Sequence, residues 1–302
     1  MSPAAVSASL ARRIAFIGGG NMAEAIIGGL IANSVPCSNI VVSEPLIQRA
    51  EYIKDKFGVH IANSNITAVS GMKPVYEAAD VVIIAVKPNY VAPVIRETAN
   101  ALISSKPLVI SIAAGVCLSD IERWLTENNS SIAKNEIPPL VRCMPNTPAL
   151  VLEGASGVYA SPDTVNDEQR QLAETILSGV SRVYWMENES LLDPVTAVSG
   201  SGPAYFFMML EAMEKGGIEA GLTREQSREL AIQTCLGAAK MAMQNKNTTL
   251  EQLRINVTSP NGTTEAALKV MMGEGKVHEW IQKGVIAASK RSTELGQIFG
   301  KL

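Results

Sequence analysis

The segment Gly18-Gly19-Gly20-Asn21-Met22-Ala23 has the spacing GxGxxA, with Gly18, Gly20 and Ala23 at the fixed positions. It follows the apolar run Ile14 to Ile17 and opens a stretch with helical periodicity, which is the context a dinucleotide turn requires. In that role Gly18 permits the tight turn, Gly20 lets the backbone approach a pyrophosphate, and Ala23 allows close helix–strand packing. Asn21 and Met22 contribute the free N–H groups of a helix start, favourable to phosphate. The competing explanation is a glycine-rich turn without ligand. Glu44 ends the next strand-like run beside Ser43, roughly 20 residues on, where an acid bonds ribose hydroxyls and repels a 2′-phosphate. That leans towards NADH. However, Arg49 lies one turn further and could pair with such a phosphate, so NADPH stays open. A merely solvated Glu44 fits equally well.

Further strand-like runs end in residues of similar promise. Val81 to Val86 runs into Ala85-Val86-Lys87-Pro88, where Pro88 stops the strand and Lys87 comes near the cofactor edge. A lysine at a strand end is more often just solvated. Residues 108–113 lead to Ala113-Ala114-Gly115, and residues 140–144 lead to Met144-Pro145-Asn146-Thr147-Pro148. Small residues and prolines at successive strand ends leave room for a nicotinamide. Later come Ser199-Gly200-Ser201-Gly202-Pro203-Ala204-Tyr205, a helix break with space for a small ligand, and Thr258-Ser259-Pro260-Asn261-Gly262-Thr263-Thr264-Glu265. The second is a turn followed by a helix start. Its unpaired N–H groups, flanked by hydroxyls, suit a small carboxylate. An ordinary capping turn is the plainer explanation.

The elements that must position these residues alternate. Strand-like runs interleave with helical stretches as far as about residue 187, with 154–160 and 183–185 as candidate late strands. This gives an α/β, Rossmann-type, doubly wound parallel sheet over 1–187. From 188 to 302 strand signals vanish, and residues 203–215, 223–245, 263–273 and 276–299 read as helices, with Gly216-Gly217 and Gly221 at helix ends. An all-α second domain follows.

Composition narrows the function classes. The 302 residues are 47% hydrophobic and 18% charged, which excludes a largely disordered chain. Net charge is −3, so no positive field favours nucleic acid. Mean hydropathy is +0.14, yet no apolar run approaches the roughly 18 residues of a membrane span, which points to buried oligomer surface. Cys37, Cys117, Cys143 and Cys235 are scattered and read as reduced thiols. With only His60 and His278, neither a metal site nor a histidine triad is expected. Arg12 and Arg13 precede the first strand so closely that no long leader is expected, and the cytoplasm is the default location.

Taken in order, FIGGGNMAEAIIGGL, AVKP, SIAAG, RCMPNTPALV, TAVSGSGPAY and SPNGTTEAAL resemble the pyrroline-5-carboxylate reductase family over residues 14 to about 272. The resemblance implies NAD(P)H-dependent reduction of a cyclic imine, 1-pyrroline-5-carboxylate, to L-proline. It implies a cofactor-holding Rossmann domain and a helical domain that forms an interlocked homodimer, in several members assembled as a ring of five dimers. It carries Gly18 to Ala23 onto the phosphate turn and Asn65 onto the adenosine ribose. Lys87 and Pro88 match the nicotinamide-side loop, with Ala113 to Gly115 beside it. Ser259, Gly262, Thr263 and Thr264 match the substrate-carboxylate loop, with Thr264 near the imine nitrogen as the catalytic candidate. Asn261 departs from the glycine common there, but asparagine tolerates positive φ.

Two other functions share parts of this pattern. A β-hydroxyacid dehydrogenase or related imine reductase places a lysine on its interdomain helix, and residues 188–215 offer only Lys215, at the far end. A redox sensor that binds dinucleotide without turnover would not need the SPNGTT loop.

Overall fold

The computed structural model describes residues 12–127, 131–274 and 276–302. The expectation about a leader falls on residues 1–11, outside the described residues. The chain forms two compact units, Met1–Gly200 with Ala288–Leu302, and Ser201–Ala287. This division lies after Gly200 rather than at 187, and the chain's last residues group with the first unit.

In the first unit β1 (Ile14–Ile17), β2 (Ile40–Ser43), β4 (Val81–Ile84) and β5 (Leu108–Ser111) are buried along their whole lengths, as continuous apolar runs in a parallel sheet with two covered faces must be. Among the described residues the sheet has eight strands in the order β3-β2-β1-β4-β5-β6-β7-β8. The others are β3 (His60–Ile61), β6 (Leu140–Met144), β7 (Gly154–Ala160) and β8 (Ser181–Trp185). All neighbours pair parallel except β6 with β7. The late strands expected at 154–160 and 183–185 are both present.

Alternation sorts the strand side chains into two cores. Phe16, Val42, Ile83 and Ile110 pack with Ile26, Ile27 and Leu30 of α1 (Asn21–Ala32) and with Ile176 of α6 (Asp167–Ser178). Ile17, Val41, Val82 and Ile84 pack with Ala68 of α3 (Asn65–Ser70), Ile95 of α4 (Val91–Ser105) and Trp124 of α5 (Leu118–Thr126). α2 (Ile47–Phe57) buries Ile53 against the first core. β1 lies between β2 and β4, so the chain reverses direction across the sheet there, and the crevice at their C-terminal ends is where α/β folds bind ligands. α7 (Leu192–Val195) and a π-helical turn, Thr196–Gly200, close this unit's main segment.

The second unit holds α8 (Gly202–Glu219), α9 (Arg224–Gln244), α10 (Leu250–Asn256), α11 (Thr263–Lys269) and the start of α12 (Val277–Phe299). α10 has no counterpart in the helices expected from sequence; at seven residues it is too short to show a period. Gly216 and Gly217, expected at a helix end, lie inside α8. For Gly217 the reason is close packing, since a Cβ there would sit 2.1 Å from Ser227 Oγ of α9, whereas a Cβ on Gly216 would meet nothing within 4 Å. Gly221, at φ +105°, does follow the helix end.

Candidate active site

The glycine turn is held from both sides. The Gly18 amide donates to the Ser43 carbonyl at 2.8 Å, and φ at Gly18 is +99°. A Cβ there would meet the Ala85 carbonyl oxygen at 2.7 Å, so only glycine fits between the ends of β2 and β4. A Cβ on Gly20 would meet nothing within 4 Å. Gly20 begins α1 without a side-chain cap, which leaves the N–H groups of the first turn, Asn21 to Ala23, facing that open space without helical acceptors. Ala23 is fully buried under the turn. A cradle that is closed at Gly18 and open at Gly20 fits a dinucleotide pyrophosphate.

The adenosine-side candidates converge next to it. Ser43 Oγ donates to Asn65 Oδ1 at 2.7 Å, and Asn65 Nδ2 donates to Glu97 at 2.8 Å. Glu44 turns back on the chain: Oε2 accepts from the Gly19 amide at 2.8 Å and Oε1 from the Leu46 amide at 3.0 Å. Arg49 Nε donates to the Gly19 carbonyl at 2.6 Å, and its Nη2 lies 2.5 Å from Glu24 of α1. Burial opposes ionisation of Glu24, but hydrogen bonds from Lys56, Arg49 and Tyr52 outweigh it and bring its pKa down to about 2.

On the other side of β1, Ala85 and Val86 are half-buried beyond the end of β4, Pro88 starts a 3-10 turn, and Lys87 is exposed. Ala113 is buried, with Ala114 partly so. Gly115, at φ +77°, faces the end of α12, where a Cβ on Gly296 would lie 3.0 Å from the Gly115 carbonyl oxygen. The glycine therefore has a packing use at this point.

Two residues of the expected motifs, Asn146 and Gly200, pin the loops beyond β6, and a pair not singled out from sequence, Arg142 and Glu189, does so beside them. Asn146, nearly buried, donates to the Ser199 carbonyl at 3.0 Å and accepts from the Ala155 amide at 2.9 Å. Gly200 comes so close to Met144 that a Cβ would meet its methyl at 2.5 Å. Arg142, with its side chain 5% exposed, pairs with Glu189 at 3.0 Å, and the same carboxylate oxygen accepts from the Leu118 amide at 2.8 Å. The one signal available was an arginine inside an apolar strand run.

In the second unit, Asn261 takes the left-handed conformation at φ +58°, as its residue type allows, and the Gly262 amide donates to the Ser259 carbonyl at 3.0 Å. Gly262 precedes α11 with no side-chain cap, and Ser259, Thr263 and Thr264 are exposed. A cavity of about 710 Å³ adjoins the loop, lined by Arg254, Thr258, Asn261, Gly262, Glu265 and Lys269 among others. Glu265, the acid within this motif, accepts from the Asn261 amide at 2.5 Å and so braces the turn. Lys215, the lysine the dehydrogenase alternative would need, is exposed and paired with Glu211 at 2.6 Å. That hydrogen bond raises its pKa and keeps it protonated. Among the described residues no group of three or more His, Cys, Asp or Glu side chains is gathered to hold a metal, and no helix is long and apolar enough to cross a membrane.

Comparison with known proteins adds kinship to this geometry. Residues 189–295 match the family model described as pyrroline-5-carboxylate reductase dimerisation, and residues 13–115 match NADP oxidoreductase coenzyme F420-dependent. The chain is 43% identical to the pyrroline-5-carboxylate reductase of Pseudomonas aeruginosa, covering 96% of this chain and 98% of that one. A solved pyrroline-5-carboxylate reductase from Coxiella burnetii superposes with a TM-score of 0.82 at 41% identity, over 94% of this chain and 98% of that one. The Plasmodium falciparum pyrroline carboxylate reductase with NADP bound gives 0.80 at 27% identity, over 95% and 98%.

Proposed function

This chain belongs to the pyrroline-5-carboxylate reductase family, and on that premise we propose that it reduces 1-pyrroline-5-carboxylate to L-proline, the last step of proline synthesis. The observation that carries this reading is 43% identity to a reductase of that name over 96% of the chain. A nicotinamide dinucleotide, when bound, supplies a hydride to the imine carbon. The residues around the glycine turn would hold it: Gly18, Gly20 and the amides of Asn21 to Ala23 at the pyrophosphate, Ser43, Glu44 and Asn65 at the adenosine ribose, and Ala85 to Pro88 with Ala113 to Gly115 towards the nicotinamide. Glu44 tilts the choice towards NADH, because its charge repels a 2′-phosphate.

The chain's own part in the chemistry is orientation. Ser259, Gly262 and Thr263 hold the substrate carboxylate with hydroxyls and the first amides of α11. The Thr264 hydroxyl hydrogen-bonds the imine nitrogen, which gains a proton as its double bond to carbon becomes single. Glu265 is engaged with the Asn261 amide, so the proton arrives with an already protonated ring or from solvent through Thr264. Fixing the reacting atoms can supply up to roughly 7–11 kcal/mol of barrier reduction, so a strong acid is not required.

Thr264→Ala should keep cofactor affinity and lose turnover, while Thr264→Ser keeps most of both. Unchanged turnover in the alanine variant would remove Thr264 from the mechanism. The working unit is a homodimer, and its place is the cytoplasm.

A further inference from the structure

The two peptides that flank Gly19 in the glycine turn are each held by a side chain of the next β–α connection, one through its N–H and the other through its C=O. The Gly19 amide donates to Glu44 Oε2 at 2.8 Å, and the Gly19 carbonyl accepts from Arg49 Nε at 2.6 Å. Arg49 is fixed in turn. Its Nη2 lies 2.5 Å from Glu24 Oε2, and its guanidinium carbon lies 4.9 Å from the centre of the Tyr52 ring. Glu24, with its side chain 14% exposed, also accepts from Tyr52 at 2.9 Å and from Lys56 at 2.7 Å. Arg49, Tyr52 and Lys56 share one face of α2, so the whole face is committed to a single carboxylate on α1. Packing agrees: a Cβ on Gly19 would sit 2.6 Å from Ile53 Cδ1, so α2 leans directly on the turn.

An arginine at the start of α2 invites a different assignment, as partner of the 2′-phosphate that NADPH has and NADH lacks. Its Nε and Nη2 are engaged elsewhere, with the Gly19 carbonyl and with Glu24. We propose that Arg49 is a positioning residue for the pyrophosphate turn, fixing the Gly19–Gly20 peptide while Glu44 fixes the Gly18–Gly19 peptide, and serving both cofactors alike. Three successive glycines have little intrinsic preference for one peptide orientation. Unheld, the Gly19–Gly20 peptide would rotate and could present the Gly19 carbonyl oxygen to the phosphates. Held, that oxygen stays on α2.

This inference rests on the reading of Gly18 to Ala23 as the phosphate site, and the test separates the two. Dissociation constants for NADH and for NADPH are measured by calorimetric titration of the full-length protein, wild type and variants, after circular dichroism shows each to be folded. Arg49→Gln should weaken both cofactors by the same factor, about tenfold, as expected for loss of a charge-assisted hydrogen bond. Arg49→Lys, able to reach one of the two acceptors, should recover part of the loss for both. Should Arg49→Gln fail to fold, Arg49→Lys and Glu24→Gln carry the same criterion of equal loss. Weakening of NADPH alone would overturn the proposal in favour of a 2′-phosphate contact, and no change with either cofactor would overturn it as well. Gly20→Val serves as control. If it weakens neither cofactor, the phosphate-site reading fails and takes the proposal with it. If it weakens both while Arg49→Gln does not, the proposal alone fails.

Discussion

At the scale of single residues, the ionised Glu24 is the point on which the cofactor side of the molecule turns. Its pKa falls from 4.5 to about 2 in the folded chain because three donors from α2 outweigh the cost of burial. A depressed carboxylate stabilises the fold above its unfolded pKa, and that contribution is lost as pH falls through the folded one. Stability should therefore drop between about pH 5 and pH 2, and Glu24→Gln should flatten this part of the profile. Urea midpoints measured across that range for both proteins check the claim; parallel profiles would show that Glu24 titrates normally. Cys143 shows the opposite case: burial pushes its thiol up to about 12, despite a hydrogen bond with Ser156. It serves packing, not chemistry.

At the scale of elements, the connection from β8 into the helical segment is anchored through Glu189. Its carboxylate neutralises Arg142 on β6 and receives the Leu118 amide at the start of α5. Removing it strands a cation that is almost wholly buried. Glu189→Ala should cost ~3 kcal/mol in chemical denaturation, reduced somewhat because Glu189 itself is partly exposed. A loss below ~0.5 kcal/mol would mean that solvent reaches Arg142 freely. Asp193, a few residues on, anchors the chain end in the same way, accepting from Ser292 and Thr293 of α12 at 2.7 Å each.

The same scale shows what was legible from sequence. Buried parallel strands announce themselves because both faces must be apolar, and β1, β2, β4, β5 and β6 all did so. β3 is two residues long and carries no pattern. Gly217 does not end a helix as expected, because a glycine that ends a helix and one that admits a neighbouring helix look alike in sequence. The boundary expected at 187 follows the last strand signal and adjoins the start of the dimerisation-family match at residue 189, whereas compactness groups α7 and the π-turn with the sheet unit. The glycine turn and the Asn261 turn were legible because each demands a backbone conformation that few residue types accept. The Arg49–Glu24 pair was not, since it joins two helices whose mutual approach no local pattern encodes.

At the scale of the whole molecule, the helical unit is incomplete as a single chain. Phe206, Phe207 and Met208 on α8 and Leu230 and Leu236 on α9 are exposed, Phe207 at 67%. Apolar area of this kind normally marks an interface, and this segment lies within the match to the dimerisation model. Phe207→Asp should shift the protein towards monomer in sedimentation velocity and lower activity with it. A wild-type protein that sediments as a monomer would contradict the assembly.

The central claim, that this chain reduces pyrroline-5-carboxylate, is tested most directly by following oxidation of NADH and of NADPH in parallel with the racemic imine and identifying the product. The account predicts turnover with stoichiometric formation of proline, faster with NADH. Folded protein that binds either cofactor yet forms no proline with both would contradict it.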